Sequence, residues 1–96
     1  MRVMIFQANI EAPNKFMDYS FTVKHCNGIN PDLYKKVYQG IIPAKDLEEV
    51  FMYLNYTKPD GYTGHSLSMS DVVVNMDTNR AYYCDVLGFK EIPWKC

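Results

Sequence analysis

The segment that most constrains the fold is the first one, residues 2–8, which has the pattern of a β-strand with apolar side chains on both faces. Val3 and Ile5 would lie on one face and Met4 and Phe6 on the other, because successive side chains of a strand alternate. A strand with one face in water would carry polar residues on that face. We therefore predict that residues 2–8 form a strand that is central in its sheet or covered on both sides.

The clearest helix is predicted at residues 44–55. Its apolar residues recur at i, i+3, i+4 and i+7, the spacing of one stripe along a helix, and they are Leu47, Val50, Phe51 and Leu54. Acidic residues crowd its first turns, where the helix dipole favours negative charge. Asn55 is predicted to cap its C-terminus.

Further strands are predicted from alternation and from β-branched or aromatic content. Tyr19, Phe21 and Val23 alternate with polar residues, which predicts a half-exposed strand over residues 19–24, ended by an Asn27-Gly28 turn. A short helical turn capped by Asn30 is predicted to lead into a strand over residues 34–39, with one helix over residues 31–39 as the alternative. The remaining predicted strands form a hairpin, residues 71–76 and 81–86, and a short edge strand or tail, residues 88–92.

These elements predict a single α+β domain over residues 1–96. Its architecture is an antiparallel or mixed sheet of about five strands with one main helix packed on one face. One helix of this length covers only part of such a sheet, so the other face is expected to be either wet or a binding surface.

Charge and hydropathy exclude several classes of protein. The chain has 10 basic and 11 acidic residues and a net charge of -1, which disfavours direct nucleic-acid binding and also an acidic mimic of DNA. No apolar run approaches the roughly 20 residues that span a membrane. The apolar run at the N-terminus is too short for a signal peptide, so the expected location is the cytoplasm.

Neither a metal site nor a cofactor site is predicted. Cys26, Cys84 and Cys96 lack the paired spacing of zinc ligands, and His25 and His65 are far apart in the sequence. The five glycines are scattered, so no phosphate-binding loop is formed. The three cysteines are expected to be ordinary buried or surface thiols.

The segment His65-Ser66-Leu67-Ser68-Met69-Ser70-Asp71 contains the residue types of a hydrolase triad. A triad needs groups that converge from separate parts of a fold, and consecutive residues rarely provide that. The favoured interpretation is that the hydroxyls bond loop backbone groups and that Ser70 or Asp71 caps the turn before the next strand. A small hydrolase that uses residues 66–71 with His65, or Cys84 with His65, is the alternative.

Aromatic and acidic residues suggest two candidate surfaces. Tyrosine is enriched at protein interfaces, and the candidate interface around the end of the helix comprises Tyr53, Tyr56, Tyr62, His65, Leu67 and Met69. The candidate acidic patch comprises Asp46, Glu48 and Glu49.

The C-terminal half resembles the YodL-like domain family. The resemblance is most specific over residues 64–73 and 81–89, and residues 5–7, 37–40 and 47–55 also fit that family's layout. Membership would imply no established enzymatic activity and no catalytic residues. It would also imply a Firmicute setting, often a conjugative element or a phage.

Two functional hypotheses follow. In the first, the chain is a non-enzymatic module that binds a host or mobile-element protein as an inhibitor or adaptor, with counter-defence such as anti-CRISPR inhibition of an effector nuclease as the leading specific function. In the second, it is the small hydrolase described above. The first predicts an exposed aromatic or apolar patch, and the second a concave pocket that contains His65. The oligomeric state is left open.

Overall fold

The computed structural model describes residues 1–94, and Lys95 and Cys96 lie outside the described residues. In chain order its elements are β1 (Arg2–Ala8), α1 (Tyr19–Cys26), a 3-10 turn (Pro31–Leu33), β2 (Tyr34–Ile41), α2 (Leu47–Tyr56), β3 (Val72–Asn75), β4 (Arg80–Cys84) and β5 (Phe89–Ile92). The strands form one five-stranded antiparallel sheet in the order β2-β1-β3-β4-β5. The predicted α+β fold class is confirmed.

β1 lies inside the sheet and is covered on both sides, as predicted. It pairs with β2 along one edge and with β3 along the other. Val3 and Ile5 belong to the hydrophobic cluster under α2, whereas Phe6 and Ala8 belong to a second cluster on the opposite face. The register with β2 shifts between Ile5 and Phe6, which marks a bulge in the middle of the pair.

α2 packs on one face of the sheet through part of the predicted stripe. Val50 and Leu54 are fully buried and Leu47 is partly buried against the same cluster, but Phe51 is 38% exposed. The helix begins at Leu47, where Asp46 caps it by accepting a hydrogen bond from the Glu49 N–H at 2.9 Å. The prediction that Asn55 is the C-terminal cap was wrong, because the helix continues to Tyr56 and Thr57 is the cap.

The prediction of a strand over residues 19–24 was wrong, because this segment is α1. The Asp18 carboxylate accepts a hydrogen bond from the Phe21 N–H at 2.8 Å, which caps the helix N-terminus. Asn27 adopts the left-handed conformation that ends the helix, so the predicted Asn27-Gly28 turn acts as a helix stop. Alternation did not decide the structure here: Thr22 is buried and Val23 is exposed, the reverse of the strand prediction.

α1 also corrects the expectation that the second face of the sheet is wet or a binding surface. The Thr22 hydroxyl lies 2.8 Å from the Tyr83 hydroxyl, which anchors α1 on β4. Tyr19 packs edge-on against the Tyr83 ring, and Trp94 packs against Phe6. The single main helix of the prediction is therefore two helices in residues 1–94, one on each face of the sheet.

The other predicted elements agree with the structure. The 3-10 turn is capped by Asn30, and the segment after it is β2 rather than a helix. β3 and β4 form the predicted hairpin, and β5 is the edge strand beside β4. Tyr82 and Tyr83 lie on opposite faces of β4, with Tyr83 fully buried.

Replacement of Leu54 by alanine should lower the free energy of unfolding by about 3 kcal/mol, because Leu54 is 0% exposed and its removal leaves a cavity under α2. The matched control is Met52→Ala on the same helix, where the side chain is 58% exposed and the change should stay within about 0.5 kcal/mol. Urea unfolding followed by circular dichroism measures both. Equal losses in the two variants would contradict this packing of α2.

Candidate functional site

The most unusual feature of the core is a polar cluster at the end of β1, formed by Gln7, Tyr62, His65, Ser68 and Asp71. Gln7 is on the same face of β1 as Val3 and Ile5, since alternate residues of a strand share a face. It is 1% exposed, a rare environment for a glutamine. The other members come from the loop between α2 and β3, which crosses over this end of the strand.

Both polar atoms of the Gln7 side-chain amide form hydrogen bonds with the loop backbone. Its Nε2 donates to the His65 carbonyl oxygen at 2.9 Å, and its Oε1 accepts from the His65 N–H at 3.2 Å. Gly64 packs so closely that a Cβ there would collide with Oε1 of Gln7 and with Val37. Any other residue at this position would therefore displace the Gln7 amide and the Val37 side chain, or shift the loop.

Asp71 is the carboxylate of the cluster and is 1% exposed. Its Oδ2 accepts hydrogen bonds from the Ser68 N–H at 2.8 Å and from Nε2 of Gln7 at 3.0 Å. Its Oδ1 has no hydrogen-bond partner within residues 1–94. Burial raises the pKa of Asp71 to about 7, although these two hydrogen bonds act in the opposite direction.

The His65 ring is oriented by the backbone and not by the carboxylate. Its Nδ1 lies 2.7 Å from the Ser66 carbonyl oxygen and 3.3 Å from Nε2 of Gln7. The shorter contact is with an atom that only accepts, so it forms a hydrogen bond in the tautomer that carries the proton on Nδ1. The Ser68 hydroxyl is 3.5 Å from the same nitrogen, and the bonds of Asp71 go to Gln7 and Ser68 instead of the imidazole. The residues of the hydrolase hypothesis are thus neighbours, but their contacts are not those of a Ser-His-Asp triad.

Two strained residues border the polar cluster. Phe16 and Ser70 have φ of 63° and 82°, in the left-handed region that larger side chains rarely adopt. The Phe16 N–H donates to the Ser70 hydroxyl oxygen at 2.9 Å, and the Phe16 ring packs on His65 with centroids 5.3 Å apart. The prediction that the serine hydroxyls bond loop backbone groups is confirmed for Ser70, and the Asp71 carboxylate accepts a hydrogen bond from the Ser68 N–H.

The fold does not bring the six residues of the candidate interface together on one surface. Tyr56 is 87% exposed at the end of α2, but Leu67 is buried in the core under that helix, so the expectation that Leu67 lies at a surface is contradicted. Tyr53 and Tyr62 are half-buried against the same core, and the Tyr62 hydroxyl donates to the His65 carbonyl oxygen at 2.7 Å. Met69 and His65 are also half-buried.

Two of the three residues of the candidate acidic patch stabilise the start of α2, and the third is exposed. Asp46 caps α2, and the Glu49 carboxylate accepts a hydrogen bond from the Lys45 N–H at 2.9 Å, so both stabilise the helix N-terminus. Glu48 makes no hydrogen bond or ion pair with any of the described residues and is exposed.

A surface that the sequence analysis missed is an apolar cleft of about 330 Å³ beside α2. Its apolar side chains come from α2 and from the turn and strand after β4, and they are Phe51, Met52, Val86 and Phe89. Glu48 and Asp85 also line it. The Phe51 and Phe89 rings meet edge-on at 6.4 Å and form its inner wall. The available signal was the Val86-Leu87 pair, two apolar residues in a turn.

Neither cysteine of the described part is placed for chemistry. Burial raises the pKa of the Cys84 thiol well above its ordinary value, which disfavours the nucleophilic thiolate. Cys26 is half-buried, and Cys96 lies outside the described residues. Residues 1–94 contain no group of three or more potential metal ligands.

Comparison with known proteins is informative at the level of the family. The sequence model described as "YodL-like domain" matches residues 1–94, nearly the whole chain. The chain belongs to the YodL-like domain family. No curated protein and no solved structure is similar enough to it to count as a match. Within residues 1–94 of this YodL-like domain, no helix is both long and apolar enough to cross a membrane.

The stability of the YodL-like domain should fall as pH rises from about 4 to 7, because burial raises the pKa of Asp71 from 3.8 to about 7. In this window the folded state retains a proton that the unfolded chain has released, so the contribution is fully present below about pH 4 and is lost by pH 7. The greatest slope for one group is about 1.4 kcal/mol per pH unit.

Asp71→Asn is the matched control, since an amide has the shape of the protonated acid and does not titrate. Urea unfolding at several pH values should give a wild-type curve that falls relative to the variant curve between about pH 4 and 7. Parallel curves would contradict the buried, protonated state of Asp71.

Proposed function

We propose that this YodL-like domain is a non-enzymatic protein-binding module that inhibits or modulates a host protein on behalf of a phage or a conjugative element. The observation that carries the proposal is the apolar cleft. Leu87 is 93% exposed and Val86 is exposed beside it, at the tip of the turn between β4 and β5. Neither side chain contributes to a core, and contiguous exposed apolar surface with a polar rim is typical of interaction sites.

The shape of the cleft favours a protein partner. Its inner wall is formed by two packed aromatic rings, and Met52 adds an unbranched, adaptable side chain at its edge. Aromatic residues and methionine are enriched at the centres of protein interfaces. Tyr56 lies one helical turn beyond Met52 and extends the same surface, so one residue of the candidate interface contributes to it.

The contacts of the polar cluster support binding over catalysis. The amide of Gln7 and Oδ2 of Asp71 bond the loop backbone and each other, which gives these atoms an architectural task. The His65 ring is oriented by the Ser66 carbonyl and not by Asp71, so the carboxylate–imidazole contact of a Ser-His-Asp triad is not made.

The specific role that we propose is counter-defence in the cytoplasm of a bacterial host, with inhibition of a CRISPR effector nuclease as the leading case. The mobile-element setting of the YodL-like family supports this assignment by association. The net charge of -1 supports an inhibitor that covers a protein surface and not one that imitates DNA. An adaptor within a conjugative-element protein uses the same surface.

Affinity capture tests the protein-binding function. The tagged domain is incubated with a Firmicute lysate that contains a CRISPR effector, and the retained proteins are identified by mass spectrometry. We expect one dominant stoichiometric partner, retained at least about tenfold less by Val86→Asp because the substitution places a charge in the apolar cleft. Ile10→Asp is the matched control, since Ile10 is 90% exposed and lies outside the cleft.

A partner that is retained equally by wild type, Val86→Asp and Ile10→Asp would contradict the assignment of the cleft. The purified partner then distinguishes inhibition from catalysis. A binding inhibitor titrates its target stoichiometrically, whereas an enzyme acts on excess target. Turnover that is lost on His65→Ala, with the fold retained, would favour the hydrolase over the binding module.

A further inference from the structure

The charged residues that line the apolar cleft are all acidic. Glu48 and Asp85 both line it, and no lysine or arginine does. The two ion pairs within residues 1–94, Arg2–Asp77 and Arg80–Glu91, leave both carboxylates out.

The nearest basic residue along the chain is directed away from the cleft. Lys90 follows Phe89 on β5 and therefore points to the opposite face of the sheet. Its Nζ lies over the Tyr19 ring at 5.9 Å from the centroid, which places it on the α1 side of the molecule. The carboxylates that line the cleft are thus not neutralised by the strand that forms its wall.

The carboxylates differ in how firmly they are held. Oδ1 of Asp85 accepts hydrogen bonds from the Tyr19 N–H at 3.1 Å and from the Val86 N–H at 2.9 Å, so its orientation is fixed by the backbone. Glu48 makes no such bond and projects from the first turn of α2. The Asp85 carboxylate is thus fixed at the end of the cleft that adjoins α1, whereas Glu48 on the α2 side is adaptable.

We infer that the apolar cleft takes a protein segment in which an apolar anchor side chain is flanked by lysine or arginine. This inference rests on the proposed protein-binding function and specifies the chemistry of the partner. The anchor is buried against Phe51, Met52 and Phe89, and the flanking cations meet Glu48 and Asp85. Apolar burial supplies the affinity of such a contact, and complementary charge at the rim supplies the choice of partner and the rate of association.

The same charges disfavour other occupants. The phosphates of a nucleic acid would be repelled by both carboxylates. A second copy of the chain, docked cleft to cleft about a two-fold axis, would place Glu48 and Asp85 close to their own counterparts, because such an interface uses the same patch on both subunits. A segment with an apolar anchor and basic flanks complements both the apolar wall of the cleft and its two carboxylates.

Selection from a phage-displayed library of random peptides about 12 residues long tests the inference without knowledge of the natural partner. The immobilised probe target is the full chain, with Val86→Asp used for counter-selection, since Val86 lines the cleft. We expect the enriched peptides to carry Lys or Arg beside a Leu, Ile, Phe or Trp anchor. Enrichment of neutral or acidic peptides, or no enrichment against Val86→Asp, would overturn the inference.

Charge reversal at the rim is the second measurement. The best peptide, labelled for fluorescence anisotropy, should bind Glu48→Lys about tenfold more weakly than wild type, and the wild-type affinity should fall with added salt. Glu11→Lys is the matched control, since it makes the same change in net charge at an exposed position outside the cleft. Equal binding by Glu48→Lys and Glu11→Lys would overturn the role of the rim.

The two proposals fail in different ways. A lysate partner that is lost with Val86→Asp but fully retained with Glu48→Lys leaves the protein-binding function standing and overturns the basic-partner inference. Self-association of the wild type that is lost with Val86→Asp, measured by analytical ultracentrifugation, would identify a second copy as the occupant and would also overturn the basic-partner inference.

Discussion

β1 contributes side chains to both hydrophobic clusters, and this double burial requires a layer of protein on each side of the sheet. Val3 and Ile5 need α2, whereas Phe6 and Ala8 need α1 and the segment before it. Because each layer is thin in a chain of this size, each helix is fixed by a small number of contacts. Val50 and Leu54 fix α2, and the hydrogen bond between Thr22 and Tyr83 fixes α1.

The end of β1 explains the polar cluster. At Gln7 the strand leaves the cover of α2 and meets the loop that leads to β3, whose backbone must be satisfied without water. The glutamine amide supplies a donor and an acceptor to His65, and Asp71 supplies an acceptor to Ser68. These residue types are also those of catalytic sites, and here the requirement of a buried loop accounts for their contacts. Because Asp71 is buried in this arrangement, its pKa is raised to about 7.

The apolar side chains that could contact a partner are those that are not buried in either hydrophobic cluster. α2 turns its Val50 and Leu54 side toward the sheet, which leaves Met52 and Tyr56 outside, and the turn after β4 adds Val86 to the cleft beside Met52. The apolar cleft therefore lies at the surface, whereas Gln7 and Asp71 of the polar cluster are buried.

The sequence by itself determined the elements whose side chains follow a strong local pattern. The two apolar faces of β1, the stripe of α2, the β3–β4 hairpin and the Asn30 cap could all be predicted, because periodicity and capping act within a few residues. Residues 19–24 were predicted as a strand because their alternation fits one. Asp18 is a local signal for a helix N-terminus that the strand prediction did not use, whereas the contact of Thr22 with Tyr83 exists only in the assembled structure. The candidate interface was partly wrong for the same reason: whether Leu67 is covered and Leu87 is exposed depends on which segment packs over each. Burial is a property of the assembled layers, so tertiary structure alone decided which apolar residues became core and which became surface.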